Sequence, residues 1–160
     1  WRPPIAWSGT SNLFMVRVTE AGWRKNLMPV ADADVRDGTY ADSNYGADTV
    51  LTVKRDPTAG FSRESFLRFP SPSFPGMVAD AQLRLQPTYA SVPGIHAVAL
   101  VTNDSWDEPA LTWNGKPASV ATLATWNPQV NVPVQVSVAA AVLGDLPVNG
   151  LLSLRVYATN

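Results

Sequence analysis

The 160-residue chain contains no cysteine and a single histidine, His96. The first absence removes disulfide bridges, thiolate metal sites and cysteine nucleophiles together. It does not count against secretion, because a chain of this length buries a core without covalent staples. Charge is scarce as well: 16% of the residues are charged, against about 25% in an average soluble protein. The formal net charge is −1, so no global field would recruit nucleic acid or an anionic membrane. No apolar run approaches the roughly 18 residues of a membrane span, and no signal peptide is expected in the stretch that opens with Trp1. It begins Trp1-Arg2-Pro3-Pro4 and is expected to be a piece of a longer protein. Phosphate loops, zinc-ligand spacing and a Gly-x-Ser-x-Gly elbow are missing too.

What is present is alternation. Residues 50–54, 66–69, 81–85, 132–138 and 151–157 alternate apolar with polar or larger side chains, the period of a half-buried strand. Turn clusters separate them, among them Asp37-Gly38, Asn44-Tyr45-Gly46, Pro57-Thr58-Ala59-Gly60, Asn114-Gly115 and Asn149-Gly150. With 46% hydrophobic residues, enough to fill a two-layer core, the pattern predicts an all-β fold, a sandwich or jelly roll of two antiparallel sheets. One short helix is expected over 137–143, closed by Gly144. Residues 1–29 read as an extra strand or linker from the parent protein, with one strand over 13–19, and residues 30–160 as the β-sandwich itself.

The order of motifs from Val30 onward resembles carbohydrate-binding module family 96, the DNRLRE domain. The resemblance rests on Ala31-Asp32-Ala33-Asp34-Val35-Arg36-Asp37-Gly38-Thr39-Tyr40-Ala41-Asp42-Ser43-Asn44-Tyr45-Gly46 and on Leu51-Thr52-Val53-Lys54. It continues through Arg63-Glu64-Ser65-Phe66-Leu67-Arg68-Phe69, Ala81-Gln82-Leu83-Arg84-Leu85, and Asn103-Asp104-Ser105-Trp106-Asp107-Glu108 with Leu111-Thr112-Trp113-Asn114. It implies a jelly-roll β-sandwich attached to polysaccharide lyases and other secreted bacterial proteins, with alginate-like acidic glycans as the ligand class. The partners implied are an acidic polysaccharide and the parent's catalytic domain. Family members carry a further strand after the one matching 151–157, so a missing last strand is expected, with residues 13–19 a candidate substitute at the edge it would leave open.

Strand parity nominates the binding residues. If aliphatics point inward, Arg36, Lys54, Arg68, Arg84 and Arg155 point outward, and Arg63 lies just upstream of one of these strands. Arginine offers a two-donor fork to a carboxylate and lysine a mobile point charge, which suits a uronate polymer. The competing reading pairs these cations with Asp37, Asp42, Asp48 or Glu64 as solvated surface ion pairs. Tyr40 and Tyr45 flank a loop and are the aromatics placed to meet a sugar face. Trp106 and Trp113 read as core or loop-locking residues, Trp126 as a corner filler, and Trp1, Trp7 and Trp23 as contacts to the parent protein.

No cofactor is implied, with a structural calcium ion on Asp32, Asp34, Asp37, Asp42, Asn44 and Asp48 as the one alternative. Asx turns and capping explain those side chains better, since no calcium-loop spacing is present. No catalytic residue is nominated: His96 lies on an apolar strand, and the adjacent carboxyls of Asp107-Glu108 would point apart. The expected function is a non-catalytic module binding an acidic polysaccharide. Its rivals are a structural or adhesive spacer of a surface protein and a small uronate lyase.

Overall fold

The computed structural model describes residues 14–20, 23–70, 78–90, 94–144 and 149–159. They form β1 (Phe14–Glu20), β2 (Trp23–Leu27), β3 (Ala31–Arg36), β4 (Arg63–Pro70), β5 (Val78–Leu85), β6 (His96–Val101), β7 (Ala121–Trp126), β8 (Val134–Ser137), α1 (Ala139–Gly144) and β9 (Leu151–Ala158). All pairings are antiparallel. A four-stranded sheet runs β2-β1-β5-β8 and faces a five-stranded sheet, β3-β4-β9-β6-β7. The fold is an all-β sandwich, as the alternation predicts. The stretch read as an extra strand or linker enters the four-stranded sheet as β1 and β2. β9 lies at the centre of the other sheet.

The main core fills the space between the sheets. Val16, Val18, Leu83 and Leu85 meet Leu67, Phe69, Val98, Leu152 and Leu154 there, all buried. On β5 the alternation is followed closely, with Ala81, Leu83 and Leu85 buried and Gln82 and Arg84 between them half-buried. The short helix forms one residue or two later than its pattern suggests, over Ala139–Gly144, and it buries Ala141 and Val142.

Residues 50–54 are not a strand. Their only ladder contact is a single bridge between Lys54 and Arg63, and the Thr52 carbonyl accepts from the Ser65 hydroxyl at 3.0 Å. The apolar parity is kept without a sheet, because Leu51 and Val53 pack against the main core from its open end.

A second, smaller core lies on the opposite face of the five-stranded sheet. Ala31, Ala33, Val35 and Phe66 bury there beneath Trp106 and Leu111 of the loop that follows β6. This corrects the parity reading in which the side chains opposite the main core face solvent. In register, Arg68 pairs with Ser153, and Phe66 with Arg155. The outward cations of β4 and β9 therefore lie under a loop.

Candidate functional site

Several residues of the family-like motif are joints between loops. Asn44 Nδ2 donates to the carbonyls of Glu108 and Leu111, both at 2.8 Å, and Asn114 Nδ2 donates to Asp42 at 2.8 Å. Gly46 lies so close to Glu108 that a Cβ would overlap its main-chain carbonyl. Gly38 has φ of +64° and abuts Gly60, so it needs both the left-handed conformation and the missing side chain. Asp37 Oδ1 accepts the amide of Ser62 at 2.8 Å. Glu108 reaches back to the Asp32 amide at 2.9 Å.

Most of the nominated cations are held internally. Arg36 bonds the buried Asp34 at 3.1 Å and Asp48 at 2.6 Å, and its guanidinium lies 3.7 Å from the centre of the Tyr45 ring. Burial pushes the Asp34 carboxyl above its ordinary value. Arg68 donates to the carbonyls of Asp104 and Trp106 at 2.8 and 2.6 Å. Arg155 bonds Glu64 at 2.5 Å and Ser119 at 3.0 Å. Lys116 closes on the same Glu64 at 2.7 Å and sits 3.1 Å above the centre of the Trp113 ring. Burial lowers the Lys116 pKa against the pull of that carboxylate. Arg84 lies on the four-stranded sheet, in register with Met15 and Gln135, away from the others. Tyr40 is exposed on a 3-10 turn.

Lys54 and Arg63 are placed differently. Both line a groove of about 530 Å³ at the end of the sandwich where the two sheets part. The segment 50–56 and the start of β4 bring Lys54, Arg55, Asp56 and Arg63 to it. The segment after β5 brings Gln86, Pro87, Thr88 and Tyr89, and the ends of β6 and β7 bring His96 and Trp126. The His96 and Trp126 rings meet edge to face, 6.0 Å apart and 76° inclined. Burial holds the His96 pKa below 6.5. Tyr89 is 80% exposed at the mouth.

Within the groove the charges differ in their engagement. Lys54 bonds Asp56 at 2.7 Å, and this bond lowers the Asp56 pKa. The half-buried Arg63 has no hydrogen bond, ion pair or ring contact to its side chain among the described residues. Arg55 has none either and is exposed. Arg63 does act through its charge on the buried Asp34. A groove with a guanidinium that makes no side-chain hydrogen bond, a second cation and several rings has the chemical parts for a polar ligand with an apolar face.

A family model for carbohydrate-binding modules of family 96 matches residues 24–158. The chain belongs to carbohydrate-binding module family 96. No curated protein matches it. In this family-96 module hydrogen bonds tie the Ala31–Arg36 strand and the 41–46 loop to the segment 103–115, and neither that strand nor that segment lines the groove.

The sequence reading missed Arg55, Tyr89 and the joint use of His96 with Trp126. The available signal was weak: Arg55-Asp56-Pro57, Pro87-Thr88-Tyr89 and Trp126-Asn127-Pro128 each set a functional group beside a proline-marked turn. Trp106 is buried as expected, its indole N–H donating to Ser153 at 3.0 Å and its ring edge-on to Phe66 at 6.2 Å. Trp1 and Trp7 lie outside the described residues. So does the side chain of Trp23, whose backbone is in β2. Among the described residues, no three His, Asp or Glu side chains converge to hold a metal ion, and no helix is long and apolar enough to cross a membrane.

Proposed function

We propose that the chain is a non-catalytic module that binds an acidic, uronate-containing polysaccharide of the alginate type in this groove. Through it, an attached catalytic domain of a secreted protein is held at its substrate. Family membership supports carbohydrate as the ligand. The observation that carries the acidic character is Arg63, half-buried in the groove with no hydrogen bond to its guanidinium among the described residues and only the more distant charge of Asp34 acting on it. A planar two-donor fork fits a carboxylate, and a partly desolvated pair is screened less than one at the surface. Trp126, His96 and Tyr89 offer ring faces and edges to the C–H side of a sugar. Tethering then raises the local concentration of the catalytic domain on a polymeric substrate.

Binding without turnover is part of this reading, and its support is membership of a carbohydrate-binding family.

The test is affinity electrophoresis in gels holding alginate, pectin, hyaluronan or neutral glucan, with Arg63→Ala run beside the native chain. Retardation by the acidic gels alone, relieved by salt and lost in the variant, is the expected result. A folded chain that no glycan retards would sink the proposal. Equal retardation by neutral glucan would remove its acidic part.

A further inference from the structure

The groove is charged at one end. Among the described residues that line it, the charged side chains are Lys54, Arg55, Asp56 and Arg63, all from the segment 50–56 and the first residue of β4. His96 and Trp126 stand on β6 and β7, and β9 separates β4 from β6 in the sheet. Adjacent strands lie about 4.8 Å apart, which sets His96 roughly 10 Å and Trp126 roughly 14 Å across the sheet from Arg63.

The far end is built from rings. His96 is in register with Ala158 on one side and with Trp126 on the other, and the two rings meet edge to face. The Pro87 carbonyl accepts the amide of Asn131, from the segment that follows β7, at 2.8 Å. Pro87 therefore joins Trp126 and Pro128 at this end, where all three line the groove. The described residues supply flat apolar area there and no counter-charge.

We propose that the groove reads a disaccharide unit asymmetrically: its β4 end grips the carboxylate of one uronate, and its β6–β7 end takes the C–H face of the adjoining sugar without reading a charge on it. The ligand class is then a glycan in which a uronate stands beside a sugar that can be neutral, and consecutive uronates are not required. This rests on the reading of the groove as an acidic-glycan site. At the cation end, Lys54 and Arg63 form a hydrogen-bonded cross-strand pair. Their side chains leave one face from Cα atoms about 5.5 Å apart, a spacing that lets both act on a single carboxylate. Lys54 already holds a carboxylate, that of Asp56, which the ligand's would replace. At the ring end a second carboxylate would lose hydration with no cation to receive it, whereas a C–H face covers the rings. One pyranose, six atoms joined by bonds of about 1.5 Å, does not bridge ends roughly 10 Å apart, so neighbouring sugars occupy them.

The test is titration calorimetry with β-1,4-linked mannobiose, its two mono-uronates and mannuronobiose, at about pH 8, where the buried His96 is neutral. The better mono-uronate is expected to bind about tenfold more tightly than mannobiose, and mannuronobiose no more tightly than that mono-uronate. Arg63→Ala should erase the gain. Trp126→Leu keeps an apolar side chain against the core but lacks the flat ring; folded by circular dichroism, it should weaken all four ligands alike. Mannuronobiose binding severalfold more tightly than both mono-uronates would mean that a second carboxylate is gripped. That result would overturn the inference and leave the acidic-glycan reading standing, as would a folded Trp126→Leu that binds like the native chain. Failure of all four disaccharides to bind while acidic gels still retard the chain would overturn it as well. A chain that no glycan retards sinks the underlying reading instead.

Discussion

Lys54 and Arg63 exchange two main-chain hydrogen bonds, Lys54 N–H to the Arg63 carbonyl at 3.0 Å and Arg63 N–H to the Lys54 carbonyl at 2.7 Å. This one bridge sets two cations beside each other at the groove. Asp56, paired with Lys54, is the one carboxylate that lines it among the described residues. Asp56→Asn should therefore tighten binding of an acidic glycan several-fold, because it frees Lys54 and removes a repelling charge. The amide oxygen can still accept from Thr58, as Asp56 Oδ1 does at 3.0 Å, so thermal stability should change little. Titration calorimetry at low salt reads the effect. Weaker binding would count against this side of the groove as the anion site.

Glu64 is the joint acceptor of Lys116 and Arg155 beneath the loop after β6. Glu64→Ala strands two cations in a site of low exposure. The expected cost is about 3 kcal/mol, a Tm lower by roughly 5 to 10 °C. Lys116→Met should cost less, since Arg155 still neutralises the carboxylate and the methionine can cover Trp113. Melting followed by circular dichroism orders the two variants. The reverse order would contradict the role assigned to Glu64.

Asn44 ties its own turn to the 108–111 segment through two carbonyls and accepts the Gly46 amide at 3.1 Å. Asn44→Ala should cost about 2 kcal/mol, as several groups lose partners together. Asp42→Ala, which removes one exposed bond to Asn114, should stay within about 0.5 kcal/mol. Denaturant unfolding of both variants makes the comparison, and glycan affinity well below the melting temperature should be unchanged in each.

His96 makes stability depend on pH in a definite sense. Burial depresses its folded pKa below 6.5, so between the two values the unfolded chain binds more protons than the folded one. Its contribution is complete above about pH 6.5 and is lost as pH falls through the lowered folded value. The Tm of the native chain should drop over that window more than that of His96→Gln. Parallel melting curves for the two across pH 5 to 8 would refute the assignment.

Period-two alternation was enough to read a β-sandwich from the chain, because burial of one strand face is a local constraint written at every second residue. Most strand positions followed from it. Residues 50–54 show its limit: the same alternation serves an extended segment packed on the core, and only the partner, a single bridge to Arg63, decides between strand and loop.

The sequence by itself determined the fold class, the turns at Gly38 and at Asn44 to Gly46, and a family likeness that the match over residues 24–158 establishes. It could not say what lies over each face. Parity tells that Arg68 and Arg155 oppose the main core, but a loop more than thirty residues away covers one and Glu64 neutralises the other. Only the tertiary structure decided that Lys54 and Arg63, with Trp126, His96 and Tyr89, share one groove. The physical reason is that a free charge is defined by the absence of partners, and partners are set by contacts between segments far apart in the chain.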